Sequence, residues 1–72
     1  MSQATEIPIH VNGQESLVPM GLTLSALLQH LKIYGSRVAV ELNRRIVRKP
    51  EWPATPVESG AQIEIVEFVG GG

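Results

Sequence analysis

Apolar and polar residues alternate along several short stretches of this chain, with the period of two that a half-buried β-strand requires. Ile7, Ile9 and Val11 form the first stretch, and a second one returns from the Asn12-Gly13 pair. Because both residues of that pair tolerate positive φ, the pair predicts a tight two-residue hairpin. The five predicted strands lie at about residues 7–12, 14–18, 38–43, 46–48 and 62–69.

One stretch follows the helical period instead. Four leucines fall on a single helix face, with spacing i, i+3, i+4 and i+7: Leu24, Leu27, Leu28 and Leu31. Thr23 is the predicted N-cap, because its hydroxyl can accept a hydrogen bond from an unpaired backbone N–H of the first turn. Lys32 suits the last turn and Gly35 suits a left-handed stop, so the pattern predicts a helix of roughly three turns.

The connection between the fourth and fifth strands contains Pro50, Pro53 and Pro56, which exclude regular structure. We expect a loop with one 3₁₀ turn there, anchored on the core by Trp52. This long connection lets the last strand return to the middle of the sheet. The order of elements therefore predicts an α+β fold in two layers. It is a β-grasp (ubiquitin-like) arrangement, a mixed four- to five-stranded sheet with one helix packed across one face.

The predicted domain organisation is simple. Residues 1–69 form one β-grasp domain, in which residues 1–5 are frayed, and residues 70–72 form a flexible Gly-Gly-Gly tail. The chain has 72 residues and no cysteine, so disulfides and thiolate zinc sites are excluded as sources of stability.

Charge and hydropathy restrict the partners. The net charge of −1 argues against a general binder of nucleic acid or anionic membrane. No apolar run approaches the ~20 residues that span a bilayer. Residues 1–6 lack the basic start and apolar run of a secretory signal. We therefore expect a cytoplasmic protein with no nucleic-acid or membrane partner.

Few side chains could carry catalysis. The only histidines, His10 and His30, fall on an outer strand face and an exposed helix flank, where solvated surface roles are the ordinary expectation. The seven glutamates are dispersed, and no metal-ligand spacing, phosphate-cradling loop or nucleophile elbow is present. We expect a protein that is not an enzyme and that binds no metal or cofactor.

One concentration of basic residues occurs, made up of Arg37, Arg44, Arg45, Arg48 and Lys49. It could contact phosphate or an acidic partner. The favoured interpretation is a solvated hairpin tip whose charges protect an edge strand from aggregation, because no aromatic residues are interleaved with the basic ones.

The last strand departs from its own alternation. Ile63 and Ile65 share one face, but the next residue on that face is Glu67, while Val66 and Phe68 fall on the opposite face. Two interpretations stay open. A bulge could shift the register and return Phe68 to the edge of the core, or an apolar patch could emerge on the uncovered sheet face as a protein-docking surface.

Gly70, Gly71 and Gly72 follow directly, and the α-carboxylate of Gly72 is the tip of the sequence. Three extended glycines reach roughly 10 Å, at ~3.3–3.6 Å per residue. Without Cβ atoms, Gly70 and Gly71 can thread a channel that excludes other residues and adopt any φ that the channel imposes. A terminal carboxylate is a poor electrophile until another protein activates it, for example by adenylation. The tail therefore has the properties of a substrate.

These motifs together resemble the bacterial sulfur carrier of thiamine biosynthesis, the ThiS family, within the ubiquitin-like β-grasp carriers. The resemblance covers essentially the whole folded chain. It rests on the Asn12-Gly13 hairpin, the helix start Thr23-Leu24-Ser25-Ala26-Leu27-Leu28, the run Val38-Ala39-Val40-Glu41-Leu42-Asn43, Ile46-Val47, Trp52, Gly60 and the ending Phe68-Val69-Gly70-Gly71-Gly72.

The resemblance implies a cycle of carboxylate chemistry at Gly72. An E1-like adenylating enzyme would use ATP and magnesium to form an acyl-adenylate, and a persulfide from a cysteine desulfurase relay would convert it to a thiocarboxylate. Thiazole synthase would then accept the sulfur. Gly70 and Gly71 would thread the partner's channel, while Val66 and Phe68 would dock on the partner.

Two alternatives share the same tail. One is the sulfur carrier of molybdopterin synthase, a family that tends to be longer and that matches the helix and third strand less well. The other is a ubiquitin-like protein modifier, conjugated to lysines through Gly72. A thiocarboxylate product distinguishes a carrier from a modifier.

Overall fold

The computed structural model describes residues 5–34 and 37–68. Its elements follow the predicted order. They are β1 (Glu6–Val11), β2 (Gln14–Pro19), α1 (Leu24–His30), β3 (Val38–Leu42), β4 (Arg45–Val47), a 3₁₀ helix (Lys49–Ala54) and β5 (Gln62–Glu67).

The strands form one mixed five-stranded sheet in the order β2-β1-β5-β3-β4. The last strand therefore lies in the centre, parallel to β1 and antiparallel to β3. This confirms the predicted α+β fold and the return of the final strand to the middle of the sheet. Four of the five residues in the predicted frayed segment, residues 1–5, lie outside the described residues, and so does the whole glycine tail. The predicted domain limits therefore stay predictions.

Both hairpins have two-residue turns with positive φ at each turn position. In the β1–β2 hairpin, Asn12 has φ 51° and Gly13 has φ 85°. In the β3–β4 hairpin, Asn43 has φ 51° and Arg44 has φ 71°. These are the angles of type I′ turns, whose twist matches that of the flanking strands. The first hairpin was predictable from Asn-Gly, whereas the second puts an arginine where glycine is preferred.

The helix starts as predicted and ends earlier. The Thr23 hydroxyl oxygen accepts a hydrogen bond from the Ala26 N–H at 3.2 Å, which confirms the N-cap. The predicted length of three turns is wrong, because α1 has only seven residues. The predicted left-handed stop, Gly35, lies outside the described residues.

The helix ends because Lys32 takes the left-handed conformation, with φ 62°. Its N–H donates to the Gln29 carbonyl at 3.0 Å, and the Ile33 N–H donates to the Leu28 carbonyl at 2.8 Å. This pair of bonds is a Schellman motif, which usually has glycine at the position of Lys32. Ile33 packs against the core as the chain turns back.

The core lies between α1 and one face of the sheet. Its fully buried side chains include Ile9 and Ile63 from adjacent central strands and Leu24 and Leu27 from the helix. Trp52 is buried as predicted, and its indole N–H donates to the Val47 carbonyl at 2.8 Å, which ties the 3₁₀ helix to β4. No charged or polar residue is buried within the described ranges, so stability comes from one apolar core.

Candidate functional site

The predicted reactive group, the carboxylate of Gly72, and the predicted channel-threading residues Gly70 and Gly71 lie outside the described residues. The structure describes the strand that leads to them. β5 has neighbours on both sides, and beyond its last residue the Phe68 N–H still donates to the Arg37 carbonyl at 2.8 Å. The chain is therefore held in the sheet as far as Phe68, the last described residue before the tail.

The register of β5 decides between the two interpretations of its broken alternation. β5 pairs with β3 without interruption, from Leu42 opposite Ile63 to Val38 opposite Glu67. The bulge interpretation is therefore wrong. Ile63 and Ile65 enter the core, while Val66 is 52% exposed and Phe68 is 59% exposed. The apolar side chains of Val66 and Phe68 therefore emerge on the uncovered face of the sheet.

Asparagine side chains hold β5 on its two sides. The Asn12 side chain accepts a hydrogen bond from the Ile65 N–H at 2.7 Å and donates one to the Ile65 carbonyl at 3.1 Å. The Asn43 side chain accepts from the Gln62 N–H at 2.9 Å. An amide side chain has the donor and acceptor of a peptide group, so Asn12 continues the β1–β5 ladder past the end of β1. These two residues position the strand that carries the tail.

The Asn12-Gly13 pair predicted a turn, but the contact between the Asn12 side chain and β5 was not predicted. The available signal was an asparagine at the first position of each two-residue turn. Its side chain could reach a neighbouring strand only if that strand lay beside the turn, and the strand order is not visible in the sequence.

A patch of apolar side chains covers one end of the open sheet face. Its members, hereafter the open-face patch, are Ala39, Ile46, Val66 and Phe68. Ile46 is 74% exposed, and strand alternation places it on the same face as Val66. A shallow cavity of about 110 Å³ lies among Ala39, Ile46 and Val66. The place of Ile46 in this patch was not predicted, because a strand of three residues is too short for its alternation to be informative.

Carboxylates lie inside this face as well. Glu41 is directly opposite Ile46 on one side and directly opposite Glu64 on the other. Like charges in directly opposed positions of an antiparallel pair repel and destabilise the sheet. The open face thus combines exposed apolar residues with a repulsive acidic pair, a combination that contributes nothing to the core.

Other reactive groups are not assembled in the described part of the chain. No cluster of three or more histidine, cysteine, aspartate or glutamate side chains suited to a metal occurs among residues 5–34 and 37–68. His10 lies on β1 and His30 at the end of α1, so the two do not form a pair. Among the described residues, no helix is long and apolar enough to cross a membrane.

A family model described as the ThiS family matches residues 3–72, which is nearly the whole sequence and includes the glycine tail. The chain belongs to the ThiS family.

Solved structures agree with this assignment. The crystal structure of the thiamine biosynthesis protein ThiS from Geobacter metallireducens superposes with a TM-score of 0.80 at 35% identity. The match covers 92% of this chain and 100% of that chain. The β-grasp fold of this ThiS-family chain is thus shared along its length with a protein described as acting in thiamine biosynthesis.

Two longer proteins contain a similar region. A thiazole synthase of Magnetococcus marinus is 39% identical over 64 residues, covering 89% of this chain and 20% of that protein. A thiazole synthase of Paramagnetospirillum magneticum is 40% identical over 62 residues, covering 86% of this chain and 19% of that protein. The ThiS-family chain spans about a fifth of these relatives.

Proposed function

We propose that this ThiS-family chain is a sulfur carrier of thiamine biosynthesis and that the carboxylate of Gly72 carries the sulfur. Membership of the family along residues 3–72 is the observation that carries the proposal. The central, doubly paired position of β5 supports it, because a rigid strand can present a thin glycine tail to another protein.

In the proposed cycle, an E1-like enzyme uses ATP and magnesium to join the Gly72 carboxylate to AMP, and pyrophosphate leaves. The terminal sulfur of a persulfide, supplied by a cysteine desulfurase relay, attacks the acyl carbon, and the bond to AMP breaks. A thiol then cleaves the sulfur–sulfur bond and leaves the thiocarboxylate. The carrier is a substrate in each step, acts in the cytoplasm, is not an enzyme, and binds no metal or cofactor of its own.

Thiazole synthase is the proposed acceptor of the sulfur. Relatives described as thiazole synthases contain a region 39–40% identical to this chain, which supports a functional pairing of the two components. Two proteins that occur as one polypeptide in some organisms commonly act together in others.

The open-face patch is the proposed docking surface for these partners. Val66 and Phe68 contribute large apolar side chains just before the tail, and both are more than half exposed. Removing such surface from water contributes roughly 25 cal/mol per Å². Gly70 and Gly71 then thread the partner's channel and deliver Gly72 to its active site.

The decisive experiment is intact-mass analysis of the chain after incubation with the adenylating enzyme, ATP, magnesium and the desulfurase. We expect a species in which one oxygen is replaced by sulfur. A variant lacking Gly72 is the matched control and should acquire no sulfur. Unchanged mass with an active enzyme set would contradict the proposal, and adducts to lysines would favour a protein modifier.

Genetic rescue identifies the pathway. A deletion strain should regain growth when thiamine is supplied. Rescue by molybdenum-cofactor precursors alone would contradict the thiamine assignment and favour the carrier of molybdopterin synthase.

A further inference from the structure

Positive charge is concentrated at one edge of the sheet. The basic edge consists of Arg44, Arg45, Arg48 and Lys49. These are four of the six lysine and arginine residues in the chain. The rest of the chain has two such cations and seven glutamates, so it is acidic. All four residues are exposed. None takes part in the side-chain hydrogen bonds that the described residues make.

Arg44 occupies a turn position at which glycine is energetically preferred. It is the second residue of a type I′ turn and has φ 71°, whereas the equivalent residue of the first hairpin is Gly13 with φ 85°. A long side chain is strained in this region, and such strain persists where another requirement outweighs it. The strained residue here is a cation at the exposed tip of the β3–β4 hairpin.

The basic edge adjoins the open-face patch. Ile46 follows Arg45 directly in β4 and belongs to the patch. Arg48 continues from β4 with extended backbone, φ −75° and ψ 149°, so alternation places it on the same face as Ile46. A partner seated on the patch would therefore meet the basic edge at its rim.

We propose that the basic edge binds an acidic rim on the adenylating enzyme, beside the apolar surface that receives the open-face patch. This inference rests on the proposed function. Its role is to steer and orient the encounter, because charges at an interface rim act mainly on the association rate. A nucleic-acid partner is disfavoured, since Glu41 and Glu64 on the same face would repel a phosphate backbone.

The experiment measures association rates of the chain with the adenylating enzyme at low and high salt. The test variants are Arg44→Gly and the double variant Arg44→Glu/Arg48→Glu. Lys32→Gly is the matched control, because Lys32 is also an exposed cation with positive φ, at 62°, and lies at the end of the helix. Arg44→Gly and Lys32→Gly each remove one positive charge and one strained conformation.

We expect Arg44→Gly to slow association about 3- to 10-fold at low salt, the double variant to slow it further, and high salt to remove both effects. Lys32→Gly should associate at the wild-type rate, and both glycine variants should unfold at a higher temperature than wild type. Wild-type association rates in both Arg44 variants at low salt would overturn the inference.

Two further outcomes separate this inference from the proposed function. If the wild-type chain acquires sulfur while the Arg44 variants associate normally, the basic edge has no role in docking and the carrier function stands. If the wild-type chain acquires no sulfur, the proposed function fails and the inference fails with it. Tight binding of a labelled oligonucleotide that only the double charge reversal abolishes would reassign the basic edge to nucleic acid.

Discussion

The asparagine that pairs with β5 offers the sharpest test of how the tail-bearing strand is held. In the variant Asn12→Gly, the turn keeps its positive φ of 51°, since glycine adopts it freely, and only the side chain is lost. That side chain makes two hydrogen bonds to the backbone of Ile65. The change therefore isolates the contact between the turn and β5.

The magnitude follows from those two bonds. A typical intramolecular hydrogen bond contributes about 0.5–1.5 kcal/mol net, so losing both should cost about 1–3 kcal/mol. For a domain of this size, 1 kcal/mol lowers the unfolding midpoint by about 4–8 °C, so a loss of about 2 kcal/mol corresponds to about 8–16 °C. Asn43→Gly is the matched control at the same turn position. It removes one exposed bond and should cost about 0.5–1.5 kcal/mol.

The assays are thermal unfolding and amide hydrogen exchange. In Asn12→Gly the Ile65 amide should exchange much faster, because its acceptor is gone. The Val66 amide points to β3 by strand alternation and should keep its protection. If Asn12→Gly is no less stable than Asn43→Gly and the Ile65 amide still exchanges slowly, the assigned role of Asn12 is refuted.

Three further predictions concern the core, the patch and the tail. Leu27→Ala should cost about 2–5 kcal/mol in a denaturant melt, because Leu27 is fully buried, and a smaller loss would contradict its place in the core. Phe68→Asp should change the free energy of unfolding by only about 0.5 kcal/mol, as an exposed position, yet weaken binding to the adenylating enzyme in a titration. Severe unfolding would mean that Phe68 is needed by the core. Deleting Gly72 should leave the melt unchanged and abolish sulfur loading, and a loaded truncated chain would refute the role of its carboxylate.

Local chemistry made much of this protein predictable. Alternating residues identified β1 and β3, Asn12-Gly13 identified the first turn, and the Thr23 cap and leucine stripe identified the helix. Each of these depends on neighbours within a few positions. The properties of the glycine tail were also predictable, because they follow from the absence of side chains.

The end of the helix was not predictable in this way. Gly35 was the better local candidate for a left-handed residue, yet Lys32 takes that conformation. The strain at Lys32 is offset by the two closing hydrogen bonds and by Ile33, which packs on the core. That balance depends on residues far apart in sequence.

By itself the sequence determined the order of the elements, the apolar faces of β1, β3 and α1, and the chemistry available at the tail. Only the tertiary structure decided which strands became neighbours and which side chains were left outside the core. The uninterrupted register of β5 put Val66 and Phe68 outside the core, and the order of the strands brought Ile46 to the same face and Asn12 to the backbone of Ile65. Alternation with a period of two indicates which residues of one strand share a face. Which strands become neighbours depends on burial and hydrogen bonding across the whole chain.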